Sequence, residues 1–325
     1  MQHVCAYCFN SSENMKKIRY IAAFAFLSIL TAQAQQDPQY TQYMYNMNVV
    51  NPAYAGSKEN VSVGLLYRSQ WMDLEGAPET GTFSIHSPVG KNVGLGLSAI
   101  SDKIGPVEEN NVYADFSYTL QLGGEHRLAL GLKAGATFHK VSLFSSIGNG
   151  FVPHENDPAF QSNMNNTYLN LGTGAFYYTD KYYIGLSVPN LLKSKHLDLV
   201  QNGDEYEFGT EVQHYFLTAG YVFDLSETTQ FKPSMMVKSA FEAPTSLDVS
   251  ANFLFHKRFE IGATYRLEDS FGGMVNFAIT PNIRIGYAYD HVVSDLKTVT
   301  PSSHEFMLLF DLNLAKRVSV SPRFF

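Results

Sequence analysis

The residue types able to do chemistry are scattered along the chain. His86, His214, His256 and His291 fall on different predicted strands, and none has a carboxylate or second histidine at metal-ligand spacing. Ser, Asn and Asp are numerous, so a Ser–His–Asn or Asp–His hydrolytic set can be drawn from separate strands, but no spacing selects one. Asp269, Asp290 and Asp295 offer oxygens for calcium at loops without the spacing of a calcium loop. The glycines sit singly in strands, so none builds a phosphate-cradling loop. Cys5 and Cys8 form a Cys-x-x-Cys, yet a zinc site needs a second pair and none follows. The expectation is a protein with no catalytic residue, no metal and no cofactor.

The elements that would position such residues begin after a leader. Met15-Lys16-Lys17 with Arg19 is a basic start, Ile21 through Leu30 a short apolar core, and Ala32-Gln33-Ala34 a small-x-small cleavage pattern. Residues 1–34 therefore read as an upstream extension plus signal peptide, removed near Ala34, with Met15 as the candidate true start. Both cysteines lie in that piece, so the mature chain is cysteine-free, which suits an exported protein. A net charge of -7 gives no support for nucleic-acid binding.

From Val61 onward the period is two. Val112, Ala114, Phe116, Tyr118 and Leu120 alternate with Tyr113, Asp115, Ser117 and Thr119; Leu128 through Phe138 and Ile283 through Tyr289 repeat the pattern. One face is apolar or aromatic, the other carries Gly, Ser, Asn, Asp, Lys and Arg. Fourteen such segments are predicted: 61–69, 79–87, 92–100, 109–121, 126–139, 167–178, 181–189, 210–224, 229–240, 246–256, 259–267, 270–279, 282–291 and 303–313. Most approach the ~9–11 residues of a tilted membrane-spanning strand.

Soluble sandwiches alternate too. Loop sorting separates the cases: longer connections (70–78, 101–108, 140–166, 190–209) alternate with tight ones (Gly123-Gly124-Glu125, Ser226-Glu227-Thr228, Pro281-Asn282), Glu268-Asp269 being a short exception. Tyr177, Tyr178, Tyr182 and Tyr183 flank one tight turn, Tyr221, Phe223 and Phe231 another, Phe255 and Phe259 a third, as an interfacial girdle would. The fold expected is all-β: a transmembrane antiparallel β-barrel of about 14 strands over 61–313, both termini periplasmic, with a tail at 314–325. Inner-face glycines such as Gly94, Gly131 and Gly286 would leave room in the lumen or let the wall curve.

Residues 35–60 do not alternate. They are rich in Tyr, Asn and Gln, poor in charge, and broken by Pro38 and Pro52. Such a segment seeks burial. It can pack under the barrel as an arm or lie in the lumen as a plug, and the polar inner wall favours the plug. Outside it, Arg68 to Thr80 is the best candidate for a working surface, with Arg68 facing the lumen and Trp71 at the outer rim. The alternative is a lumen charge and a belt aromatic.

Here the motifs become specific. Asp37-Pro38-Gln39-Tyr40-Thr41-Gln42-Tyr43 and Asn51-Pro52-Ala53-Tyr54-Ala55-Gly56 resemble the opening signature of the PorP/SprF family of type IX secretion membrane proteins. So do Tyr67-Arg68-Ser69-Gln70-Trp71, Gly76-Ala77-Pro78-Glu79-Thr80 and Pro88; the ending Ser321-Pro322-Arg323-Phe324-Phe325 is similar, with Phe324 in place of Tyr. The resemblance spans the mature chain. It implies an outer-membrane barrel working with secretion machinery subunits and a gliding apparatus. It also implies a role in exporting or anchoring adhesin-like cargo, and no catalysis. The contact residues it implies are Asp37, Pro38, Gln42, Tyr43, Asn51, Pro52, Ala53, Tyr54, Gly56, Arg68, Trp71, Gly76, Pro78 and Thr80. The other readings are a small-solute channel gated by the arm, and a barrel enzyme. In each, outer-membrane lipids surround the wall.

Overall fold

The computed structural model describes residues 38–58, 60–72, 74–142, 164–192, 195–201, 204–210, 213–240, 243–294 and 302–312. The leader 1–34, Asp37, Asp295 and the tail 314–325 lie outside them. The strands are β1 (Val61–Ser69), β2 (Glu79–Pro88), β3 (Val93–Ile104), β4 (Val107–Gly123), β5 (His126–Val141) and β6 (Met164–Tyr178). β7 (Tyr182–Val188), β8 (Lys195–Gln201), β9 (Asp204–Thr210), β10 (His214–Tyr221) and β11 (Phe223–Asp224) follow. β12 (Thr229–Ala240), β13 (Ala243–Phe255), β14 (Phe259–Arg266), β15 (Ser270–Thr280), β16 (Ile283–Val292) and β17 (Ser302–Leu312) complete them.

Pairing runs from neighbour to neighbour through β7, then to β10, β12 and on to β17, which returns to β1. β11 continues the β10 edge along β12, and β8–β9 is a separate hairpin. The wall is thus a closed barrel of fourteen antiparallel strands, with no open edge. The alternation sets its two faces. Leu132 is 61% exposed and points out, whereas the next residue, Lys133, is 2% exposed and points in. Leu97, Phe116, Leu169, Ile184, Ile261 and Phe306 also face out; Asp115, Lys232, Asn252, Glu260 and Glu305 are buried inside. Water would reverse this arrangement; a bilayer stabilises it.

β1 begins and β17 ends at one mouth, which also carries the tight turns at Val89–Asn92, Gly124–Glu125, Thr179–Lys181, Leu225–Thr228, His256–Arg258 and Pro281–Asn282. This is the periplasmic end of an outer-membrane barrel. A chain of rings follows part of it, from β6 to β13: Tyr177–Tyr182 at 6.1 Å, Tyr182–Tyr221 at 6.0 Å, Tyr221–Phe223 at 4.3 Å, Phe223–Phe231 at 6.1 Å and Phe231–Phe253 at 4.9 Å.

Three expectations are corrected. The girdle loses Tyr178 and Tyr183, which point inward and pack on Phe176, because each is one residue out of phase with Tyr177 and Tyr182. The predicted loop 101–108 is only the turn Gly105–Pro106, and 241–245 shrinks to 241–242. β3, β4 and β5 carry their ladder past the apolar band, where polar residues on both faces read as loop. Loop sorting is therefore weaker than predicted: the far mouth also has tight turns. Within 190–209 the chain forms most of the β8–β9 hairpin rather than only a loop.

The segment 38–58 lies inside the barrel. It folds as a 3-10 turn at Tyr43–Tyr45, one α-helical turn at Met47–Val50 and a second 3-10 turn at Pro52–Tyr54. Pro52 suits a first helical position, having no N–H to satisfy, and it holds Asn51 extended. The Asn51 side chain then accepts from Ala53 N at 2.9 Å and caps the turn. Tyr40 through Ala55 are all buried.

Candidate functional site: the arm in the lumen

Wall side chains hold the arm at three levels. Nearest the long-loop mouth is an ionic clamp. Glu305, fully buried on β17, accepts from the backbone N–H groups of Thr41 (2.8 Å) and Gln42 (2.7 Å). Arg68 Nη1 pairs with Glu305 at 3.2 Å and Asp290 at 2.8 Å, and donates to Thr41 Oγ1 at 2.7 Å. Thr41 Oγ1 in turn donates to Asp290. A buried carboxylate needs such partners, and here two of them are main-chain groups of the arm.

Next along the arm, its tyrosines reach the wall. Tyr43 donates to Ser234 Oγ at 3.0 Å, and Tyr45 donates to Glu260. Glu260 is also paired with Lys232 at 3.0 Å, and Lys232 lies 5.8 Å from the Tyr45 ring centre. Asn48 donates to Asp115 at 3.2 Å, itself paired with Lys133 at 2.8 Å.

At the periplasmic end the seat is built from glycines. A Cβ on Gly94 would fall on the Ala55 carbonyl, one on Gly131 on the Pro52–Ala53 backbone, and one on Gly174 on the Asn51 side chain. Gly56 adopts φ +74°, and a Cβ there would come within 2.7 Å of Gly94 Cα. Around these contacts Asn51 Nδ2 donates to the Ala175 carbonyl at 3.1 Å and Ser117 Oγ to the Ala55 carbonyl at 2.6 Å. Gly56 N donates to His86 Nδ1 at 3.2 Å. Tyr54 meets His86 and Phe176 edge-on, each at 5.3 Å. Lys58 pairs with Asp311 at 3.5 Å.

This arrangement is a wall built to hold one particular segment. The profile of a family described as type IX secretion system membrane protein PorP/SprF matches residues 32–310. The chain belongs to the PorP/SprF family. It is an outer-membrane barrel of type IX secretion. Comparison with curated protein sequences finds no match. Among solved structures, the toluene transporter TodX of P. putida is 11% identical, with TM-score 0.48, covering 86% of this chain and 95% of its own. The CymD monoaromatic hydrocarbon channel is 12% identical with TM-score 0.46, covering 85% and 93%. The Acinetobacter baumannii outer membrane protein Omp33 is 12% identical with TM-score 0.43, covering 78% and 100%.

The PorP/SprF-like motifs divide between two places. Gln42, Tyr43, Asn51, Pro52, Ala53, Tyr54 and Gly56 are all within the arm, and Arg68 is the wall residue that clamps it. Pro38 is half-buried above the clamp. Trp71, Gly76 and Pro78 instead shape the β1–β2 loop. Trp71 is half-exposed at φ +51° with its N–H on Ser303 Oγ at 3.4 Å; the Gly76 and Pro78 carbonyls accept from Gly105 N and Gln70 N, both at 2.9 Å. Thr80, on β2 directly across from Arg68, is buried and donates to Asp102 at 2.5 Å. Sequence reasoning missed Thr41, Glu305, Asp115 and Glu260. A charged residue on the inward phase of an apolar strand, as Glu305 beside Phe306, was the available signal. Asp290, considered as a calcium ligand, is a partner of Arg68, and Asp269 lies 3.3 Å from Arg266. His86 supports the arm, His214 is buried, His256 sits in a turn and His291 packs on Phe271 at 5.2 Å.

Proposed function

We propose that this barrel is a non-enzymatic partner or anchor for secreted or surface cargo, adhesins among them, acting with type IX machinery subunits and contributing to gliding. The observation that carries the reading is the occupied lumen: residues 40–55 are buried inside the wall and bonded to it at every level. An interior filled by the chain's own segment suits holding and contact better than passage. The contact surfaces left are the long-loop mouth, with Trp71, Gly76 and Pro78, and the outer wall, whose rings meet membrane lipids. The leader is removed near Ala34 on export.

Deleting the gene and comparing secreted and surface proteomes tests this. Loss of one or a few large cargo proteins, restored by complementation, is the expected result. Unchanged proteomes, with a steady conductance from the purified barrel, would favour the channel gated by the arm.

A further inference from the structure

The barrel strands begin and end at the periplasmic mouth, but the arm ahead of them does not start there. Thr41 and Gln42 bind Glu305, the fourth residue of β17 counted from the long-loop mouth, and Arg68, one residue from that end of β1. Lys58 binds Asp311, one residue from the opposite end of β17, and Gly56 packs on Pro88, the last residue of β2 at the same mouth. On β17 alone the two anchors stand six residues apart, 305 to 311, or about 20 Å along the strand. At the usual tilt that is roughly 15 Å of descent along the barrel axis. The arm is therefore threaded lengthwise, with its leading end towards the long loops.

We infer that the arm's leading end opens to the extracellular mouth, so that Pro38 is reached from outside the cell. Four observations bear on the direction. The lumen on the periplasmic side of Thr41 is occupied by Tyr43 to Gly56, packed onto Gly94, Gly131 and Gly174. Burial relaxes in the opposite direction: Tyr40 is buried, while Gln39 and Pro38 are half-buried. Three residues, 38 to 41, span at most about 10 Å, the same reach as the three residues from Glu305 to the β17 end at Ser302, so the rim is within reach of Pro38. The grip on Thr41 and Gln42 runs through backbone N–H groups, which fixes the arm's course at the exit whatever side chains precede it. Pro38 and Gln39 then stand at the mouth that carries the β1–β2 loop, where a partner held outside the cell reaches them without entering the barrel.

The test uses the full chain, whose mature part has no cysteine. Gln36→Cys is labelled on intact cells with a membrane-impermeant maleimide. Asn282→Cys, in a periplasmic turn, is the control that labels only after the outer membrane is opened. Heat-modifiable migration verifies folding of each variant, and labelling after denaturation gives the total. Labelling of Gln36→Cys on intact cells to most of that total is the expected result. Labelling only after the membrane is opened, or only after denaturation, overturns the inference. An epitope inserted after Gln35 gives the same reading through antibody binding to intact cells, should the cysteine variant fail to assemble.

Discussion

Arg68 and Glu305 stand directly opposite each other across the β1–β17 seam, and their side chains meet at 3.2 Å in a fully buried site. The pair that helps close the barrel is thus also the pair that holds the arm, because Glu305 accepts two of the arm's N–H groups. Closure and occupancy of the lumen are coupled through one carboxylate.

Glu305→Ala leaves Arg68 with Asp290 as its one carboxylate partner beside Thr41 Oγ1, and strands two arm N–H groups. A loss of about 3–5 kcal/mol is expected, the usual cost of removing one partner from a buried ion pair. It is read as a lower urea midpoint of the heat-modifiable form in detergent. Glu305→Gln keeps the acceptor and is expected to lose less.

The glycine seats give a paired comparison. Gly131→Ala drives a Cβ into the Pro52–Ala53 backbone, while Gly81→Ala meets open space. The first is expected to destabilise by about 1–3 kcal/mol or to unseat the arm. The second is expected to be nearly silent. Limited proteolysis between Tyr40 and Lys58 distinguishes an unseated arm from a weakened wall.

Neighbouring residues of β5 test the membrane assignment. Leu132→Arg places a charge on the outer face and is expected to cost about 2–4 kcal/mol in lipid. Leu130→Phe, also outward, should be tolerated. Folding yield into vesicles measures both.

Much of this fold was legible because period two assigns every strand residue to a face. That Leu132 and Lys133 lie on opposite faces follows from the pattern alone; that Leu132 faces out follows only with the membrane assignment. The arm was legible as a segment of Tyr, Asn and Pro that seeks burial beside a polar wall. The clamp was not, since Arg68 and Glu305 are 237 residues apart and meet only when the last strand closes on the first. The turn at Gly105–Pro106 was hidden because β3 and β4 turn polar on both faces above the apolar band. Trp71 was grouped with Arg68 by proximity in sequence, but the chain leaves the wall between them, and only Arg68 faces the arm.

The most direct test of the seated arm is electrical. Purified full-length protein in a planar bilayer is compared with a variant lacking residues 38–56, both verified as folded barrels by heat-modifiable migration. The full-length protein is expected to carry no steady current, and the shortened one to show ohmic steps of the size an emptied fourteen-stranded lumen allows. Equal, persistent steps from both proteins would contradict an arm held in the lumen.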